Sequence, residues 1–307
     1  MTTASESPAA TPLSKPTRPY YWSVRREMWE YRSAYIAPLI TAGVVLFGYL
    51  IRLAHLPKVV SSIASRTPIE QFAEISKPTG VAAIGIVIAG LVISVFYSLG
   101  ALNNERRDRS ILFWKSLPVS DLTTVLSKAT VPLVIVPCIV FALVFATHLV
   151  MLITGSAVLL AHGTSASILW AYWPPLKMAL VLLYGLVTLT LWWAPIYAWL
   201  LLVSAWTKRM TFLWAVLPVL GVGLIEKIGL DTSYFSQMIS DRLTGFMGKA
   251  FDFENAAKSA AKGQLTDQIA MLTPMRFVEA PGLWLGLVAA AVFLAGAVWL
   301  RRNREPI

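Results

Sequence analysis

Apolar residues recur along the chain in six long runs, separated by polar segments that carry most of the charge. Each run is about 20 residues or longer, which is the length a helix needs to cross a hydrocarbon core about 30 Å thick. A run in lipid must be helical, because no water is present there to satisfy an open loop or a strand edge. The pattern therefore predicts six membrane-spanning helices, at residues 35–53, 81–102, 129–153, 176–203, 211–230 and 282–300.

Composition supports the same class of protein. Hydrophobic residues make up 57% of the 307 residues and charged residues 14%, with a mean hydropathy of +0.66. Soluble domains carry about 25% charged residues and about 45–50% apolar residues. The single cysteine, Cys138, lies inside an apolar run and excludes an intrachain disulfide. The expected fold class is an all-α polytopic membrane protein.

The distribution of cations predicts the orientation of these helices. An even number of spans places both termini on one side, and fifteen of the 26 Lys and Arg residues fall on that side. Short cationic segments stay in the cytoplasm. We therefore expect both termini to be cytoplasmic, and we interpret the net charge of +10 as a sign of orientation rather than of nucleic-acid binding.

The ends of the chain and one long connection complete the predicted organisation. Residues 1–19 are polar and rich in Ser, Thr and Pro, which predicts a disordered cytosolic tail, and residues 20–307 form a single six-helix domain. Aromatic residues and arginines mix just before the first span, which predicts an amphipathic helix in the membrane interface. Apolar residues at helical spacing within 231–281 predict an external helical insertion between helices 5 and 6.

The sequence offers no catalytic constellation. The three histidines lack metal-ligand spacing, and no GxxxxGK[ST] loop is present to bind ATP phosphates. We therefore expect no enzymatic activity, no metal and no cofactor in this chain. No Asp or Glu lies in the middle of the first four spans, which disfavours an ion-coupled carrier. Aromatic residues of the fourth span, together with one histidine, are candidates for a substrate path: Trp192, Trp193, Tyr197, Trp199 and His148.

The segment between the second and third spans, NNERRDRSILFWKSLPVSD, is the densest charge cluster in the chain. From Glu105 to Ser116 it has no Gly or Pro, which predicts a short helix across the cytosolic face, and Ser120 and Asp121 are positioned to cap the next helix. Arg and large aromatic residues are typical of protein interfaces. The candidate docking residues are Glu105, Arg106, Arg107, Asp108, Arg109, Phe113, Trp114 and Lys115.

The run ERRDRSILFWKSLPVSDLTTVLSK resembles the first cytoplasmic loop of ABC-2 type permeases, the membrane subunits of ATP-driven exporters. The acid-led charge cluster, the turn ILFWKSLPVS and the pair Ser127-Lys128 carry the resemblance, and the six-span layout agrees with it. The long polar segment 231–281 departs from the short re-entrant helices typical of that family.

The resemblance implies a partnership. Two copies of a separate ABC ATPase, with ATP and Mg, would grip the loop as a coupling helix, and a second permease copy or a homologous permease would complete the transporter. It further implies a bacterial inner membrane and a lipid, peptide or amphipathic drug-like substrate. A membrane sensor or assembly subunit that signals to a partner without transport is the alternative.

Overall fold

The computed structural model describes residues 18–107, 119–261 and 267–303. It is 85% helical, and the described residues contain no strand. The predicted disordered tail lies almost entirely outside the described residues.

Six helical segments are long and apolar enough to cross a membrane, which confirms the six predicted spans. They are Ser33–Leu53, Pro68–Arg107, Asp121–Ala161, Ser167–Trp206, Thr211–Gly229 and Pro281–Asn303. We refer to them as the first to sixth membrane helices. The shorter helices in the described residues are Pro19–Glu30, Leu56–Ile63, Tyr234–Thr244, Phe246–Ala250, Phe253–Ala261 and Pro274–Val278.

The second and fourth membrane helices are longer than a bilayer requires. Their continuous α-helical parts, Pro68–Gly100 and Pro175–Trp206, contain 33 and 32 residues, and at 1.5 Å per residue each is about 50 Å long. Both therefore extend beyond a hydrocarbon core of about 30 Å. The extensions lie at the end where Leu56–Ile63 and the segment 231–281 also pack, which we call the far end. The opposite end, which carries Arg26, Arg107, Arg209 and Arg301, is the cation-rich end.

The core has a central part and a far-end part. The central cluster joins Ile86 of the second helix, Val140 and Val144 of the third, and Leu201 of the fourth. A separate cluster at the far end joins Leu56–Ile63 to the start of the second helix and the end of the third, with Leu159 and Trp173 buried in it. The fifth helix is peripheral, and Ala215 is its only buried residue.

Local sequence signals explain how several helices begin. Ser120 accepts a hydrogen bond from the Thr123 backbone N–H at 3.1 Å, which confirms the predicted cap of the third membrane helix. Thr67 and Glu70 form a capping box at the start of the second. The helix Tyr234–Thr244 begins differently, because its N-cap residue Ser233 makes no cap bond. The carboxylate of Glu226 instead accepts the Phe235 N–H at 2.9 Å.

The third membrane helix contains a π-helical turn at Val131–Ile135. Pro132 lies in this turn and has no N–H to donate, and the Val136 N–H reaches back five residues to the Val131 carbonyl.

The second and third membrane helices are in close contact at Gly90. A Cβ atom added there would lie 2.5 Å from Val140 Cγ2. We expect Gly90→Ala to lower the free energy of unfolding by about 1–3 kcal/mol, because the core has no room for the methyl group. Thermal unfolding in detergent measures the change. Gly43→Ala is the matched control, since nothing lies within 4 Å of its added Cβ. Equal stability of the two variants would contradict the proposed close contact.

Candidate functional site

Charged side chains from four separate elements meet at the cation-rich end of the bundle. Glu27 comes from the helix Pro19–Glu30, Glu105 from the end of the second membrane helix, Lys128 from the start of the third and Arg301 from the last turn of the sixth. All four are buried, and Lys128 is only 2% exposed. We call this set, together with Arg26 and Asp121, the ion-pair network.

Lys128 lies at the centre of the network. Its Nζ lies 2.9 and 3.1 Å from the two carboxylate oxygens of Glu27 and 3.0 Å from Oε1 of Glu105. Burial of an isolated ammonium at this depth would be strongly unfavourable, and the two carboxylates offset that cost. The Tyr97 hydroxyl donates to the second oxygen of Glu27 at 2.7 Å and satisfies a further acceptor.

Two arginines extend the network to its edges. Arg26 donates to Glu27 at 2.9 Å and to Glu105 at 2.8 Å. Arg301 donates from Nη1 to Glu105 at 2.7 Å and from Nε to Asp121 at 3.0 Å. Glu105 therefore contacts three cations. Within this set three cations face three carboxylates, and Arg26 also lies 3.4 Å from the more exposed carboxylate of Glu30.

Burial on its own lowers the pKa of the Arg26 guanidinium. The carboxylates of Glu27, Glu30 and Glu105 outweigh that effect and raise the pKa above its usual value. Arg26 therefore stays charged throughout the physiological pH range, and so it keeps neutralising the two buried glutamates.

Backbone hydrogen bonds attach the fourth membrane helix to the same end. The Ser204 hydroxyl accepts from the backbone N–H groups of Leu102 and Asn103, both at 3.0 Å. The Arg106 guanidinium donates to the Ala205 carbonyl. These bonds satisfy donors that the turn after Gly100 frees from the helix. The residues that precede the loop 108–118 are thus fixed against the fourth helix as well as in the ion-pair network.

The predicted docking residues fall into two groups. Glu105 is buried in the ion-pair network, so it lies inside the structure and not on the exposed docking surface expected from the sequence. Arg106 is partly buried through its bond to Ala205, and Arg107 is exposed. The remaining five, Asp108, Arg109, Phe113, Trp114 and Lys115, lie outside the described residues, as does most of the predicted loop helix.

The predicted substrate-path residues are packed and hydrogen-bonded. Trp192 is fully buried and donates to the Asp241 carbonyl at 3.1 Å, and Trp193 donates to the Leu243 carbonyl at 3.2 Å. Trp199 donates to the Ala215 carbonyl of the fifth helix at 3.1 Å, and Tyr197 is buried. His148 lies apart, with Nε2 3.1 Å from the Thr79 carbonyl. In this conformation these residues hold elements together and do not line an open path.

Arg242 anchors the segment 231–281 between the fourth and sixth membrane helices. Its guanidinium donates to the Trp192 carbonyl at 3.3 Å and to the Gly282 carbonyl at 2.6 Å, and its Cζ lies 4.5 Å from the Trp192 ring centroid. Such a cation–π contact is favourable. Gly286 makes room, because a Cβ there would lie 2.5 Å from Nη1. Burial lowers the pKa of Arg242, and the Asp241 carboxylate only partly opposes this effect.

The sequence alone did not identify Glu27, Arg301 or Arg242 as site residues. The sequence does contain a signal for Glu27 and Arg301. Each is a charged residue close to the end of an apolar run, where the charged ends of other membrane helices can reach it. Arg242 lies in a polar segment and gives no such signal. Among the residues that the structure describes, no group of three His, Cys, Asp or Glu side chains is arranged to hold a metal ion.

Comparison of the chain with protein-family models, with curated proteins and with solved structures finds no match.

Removing the central cation should destabilise the protein strongly. We expect Lys128→Met to lower the free energy of unfolding by about 3–5 kcal/mol, because Glu27 and Glu105 then share a buried site without the ammonium. Thermal or denaturant unfolding in detergent measures the loss. Lys258→Met is the control, since its pair with Glu254 is exposed and should contribute less than about 1 kcal/mol.

A double variant separates this electrostatic cost from a packing effect. Lys128→Met combined with Glu27→Gln should be less destabilised than the sum of the two single variants, because Glu105 keeps Arg26 and Arg301 as partners. Strict additivity would contradict direct coupling between Lys128 and Glu27.

Loss of the Arg242 anchor should loosen the segment 231–281. We expect Arg242→Gln to increase the rate of limited proteolysis within this segment several-fold, because two carbonyl bonds and a ring contact are lost. Arg276→Gln is the control, since Arg276 is an exposed cation of the same segment. Unchanged cleavage in Arg242→Gln would show that the remaining contacts suffice to hold the segment.

Proposed function

We propose that this chain is the transmembrane subunit of an ATP-driven exporter of the ABC-2 type, which uses a separate ATPase subunit. The observation that supports this proposal most is the position of the residues that flank the segment 108–118. The residues on both sides of it, Glu105 and Asp121, bind the same buried arginine, Arg301. Any force applied to the loop therefore acts directly on the second, third and sixth membrane helices.

The proposal assigns the cation-rich end to the cytoplasm of a bacterial inner membrane, on the basis of the cation distribution. The helix Pro19–Glu30 then lies at the cytoplasmic interface, and 231–281 lies outside. Trp22, Trp29 and Arg25 are exposed on the former, with the Arg25 Cζ 5.2 and 4.7 Å from the two ring centroids. Exposed aromatic residues and arginines on one short helix suit the headgroup region.

Coupling in this proposal is mechanical. An ATPase bound to the loop moves the flanking residues Glu105 and Asp121, and the ion-pair network passes that motion to the helices that supply Lys128 and Arg301. Ion pairs of this kind break only at high cost inside the protein, so the helix ends move together. The protein itself supplies no nucleotide chemistry: ATP and Mg belong to the partner, and two ATPase subunits act with two permease chains.

The packed aromatic residues limit where a substrate can pass. Trp192 and Trp193 bind the segment 231–281, so a path along the fourth helix opens only when that segment moves away. The proposed substrate, a lipid, peptide or amphipathic drug-like molecule, fits a path that runs beside apolar and aromatic side chains.

The packing at the far end favours a second candidate function, a membrane sensor or assembly subunit that signals to a partner without transport. Leu56–Ile63 and the neighbouring helices possess a hydrophobic cluster of their own, distinct from the central core. A separately packed group of helices on the external side suits recognition of an external peptide or lipid. ATP-dependent substrate movement in reconstituted vesicles distinguishes the exporter from the sensor, as does an adjacent gene for an ATPase or for a sensor kinase.

Charge reversal in the loop tests the exporter proposal. We expect Arg107→Glu with Arg109→Glu to reduce co-purification with an ATPase, and ATP-dependent transport, at least about tenfold, because a docking surface would repel its partner. Arg106 is left unchanged, since its bond to Ala205 gives it a structural role. Arg32→Glu with Arg302→Glu is the matched control, in which two exposed cations of the same end are reversed.

Membrane insertion should be normal in both double variants. Full transport by the loop variant, or a transport-active protein with no nucleotide hydrolase attached, would refute the coupling proposal.

A further inference from the structure

A groove lined by three cations lies at the cation-rich end. It lies between the end of the second membrane helix and the connection from the fourth to the fifth, and its volume is about 350 Å³. Three cations line it: Arg107, Lys208 and Arg209. We call it the basic groove.

The cations of the basic groove have no carboxylate partner in the part of the chain that the structure describes. The nearby acidic side chains, Glu105 and Asp121, are already bound to Arg301 in the ion-pair network. All three cations of the groove are exposed. The groove therefore presents about three positive charges to any ligand that enters it.

Neutral donors add to the positive potential of the groove. Asn104 and Thr211 contribute polar side chains to its wall. The fifth membrane helix begins here, and its N-cap residue is Met210, in the left-handed conformation with φ of 55° and no side-chain cap bond. A thioether is a poor acceptor, so the first N–H groups of this 19-residue helix lack a capping side chain. Anions bind favourably at such a helix end.

The lower wall of the groove is apolar and continues onto the lipid-facing surface. Phe96, Leu99 and Phe212 form this wall, and Phe96 and Phe212 are 59% and 60% exposed. These two rings lie at the ends of membrane helices, where headgroups meet acyl chains. A soluble anion would gain nothing from them, whereas a lipid places its phosphate among the cations and its chains along the rings.

We propose that the basic groove binds an anionic phospholipid from the leaflet at the cation-rich end. The phosphate lies between Lys208, Arg209 and Arg107, within reach of the N-terminal N–H groups of the fifth helix, and the acyl chains follow Phe96 and Phe212. The fifth helix has few contacts within the chain, and a lipid at this point joins its start to the second and fourth helices. The site and the exporter proposal share one residue, Arg107, so the test of the site changes Lys208 and Arg209 instead.

Lipid titration of the purified full chain in detergent tests the site, with native mass spectrometry as the readout. Phosphatidylglycerol should bind at least about tenfold more tightly than phosphatidylcholine, because the groove cations select a net negative headgroup. Lys208→Gln with Arg209→Gln should bring the two affinities to within about twofold. Both side chains are exposed, so the variant should fold normally. Neither residue is among those assigned to ATPase docking, so the variant leaves that proposed surface unchanged.

Arg32→Gln with Arg302→Gln is the matched control and should keep the preference for phosphatidylglycerol. Equal loss in both double variants would show general charge attraction and overturn the proposal, as would an unchanged preference in the groove variant. Glycerol phosphate as competitor should leave the lipid bound, because it lacks acyl chains. Its displacement of the lipid would identify a free-anion site instead. If Lys208→Gln with Arg209→Gln lost a co-purifying protein but kept the preference for phosphatidylglycerol, the groove would be a binding site for a protein partner and not for lipid.

Discussion

The cation-rich end of the molecule depends on one ammonium group, Lys128, held between two carboxylates. Glu27 and Glu105 come from elements that the sequence separates by nearly 80 residues, and the Lys128 ammonium lies 2.9 Å from the first and 3.0 Å from the second. Buried carboxylates are costly unless such a cation compensates them. The ion pairs therefore fix the relative positions of the helix Pro19–Glu30 and of the second and third membrane helices. Hydrophobic packing alone would leave these ends free to slide, since lipid solvates apolar side chains as well as the protein does.

The fold follows from the sequence much further than the site does. Runs of apolar residues determine the six spans directly, because a bilayer admits helices and excludes loops. The pairing of charges depends on tertiary structure. The sequence around Glu105 is the same whether its side chain faces a partner protein or Lys128, and the packing of the four helix ends determines which of the two it contacts. The start of the helix Tyr234–Thr244 is another case, since its N-cap residue Ser233 makes no cap bond and the carboxylate of Glu226, on the preceding helix, accepts the Phe235 N–H instead.

The aromatic residues of the fourth helix show why composition is a weak guide to a path. Tryptophan has a large apolar surface and one N–H group that needs an acceptor when buried. Trp192, Trp193 and Trp199 all satisfy that need with backbone carbonyls of other elements. A cluster of such residues predicts contact with something amphipathic. Here the aromatic residues contact other elements of the same chain. The sequence pattern cannot distinguish such contacts from contacts with a substrate.

The two ends of the bundle hold their buried cations by different means, and the difference bears on which end moves. At the cation-rich end Arg301 binds two carboxylates, whereas Arg242 at the far end binds two carbonyls and an aromatic ring. The ion pairs of Arg301 join full opposite charges in a buried site, so removal of one partner leaves an uncompensated buried charge, at a cost of about 3–5 kcal/mol. Water can replace a carbonyl at lower cost than it can replace a buried carboxylate. Separation of the packed elements therefore costs less at the far end than at the cation-rich end. A helix motion imposed at the ion-pair network would open the far end first.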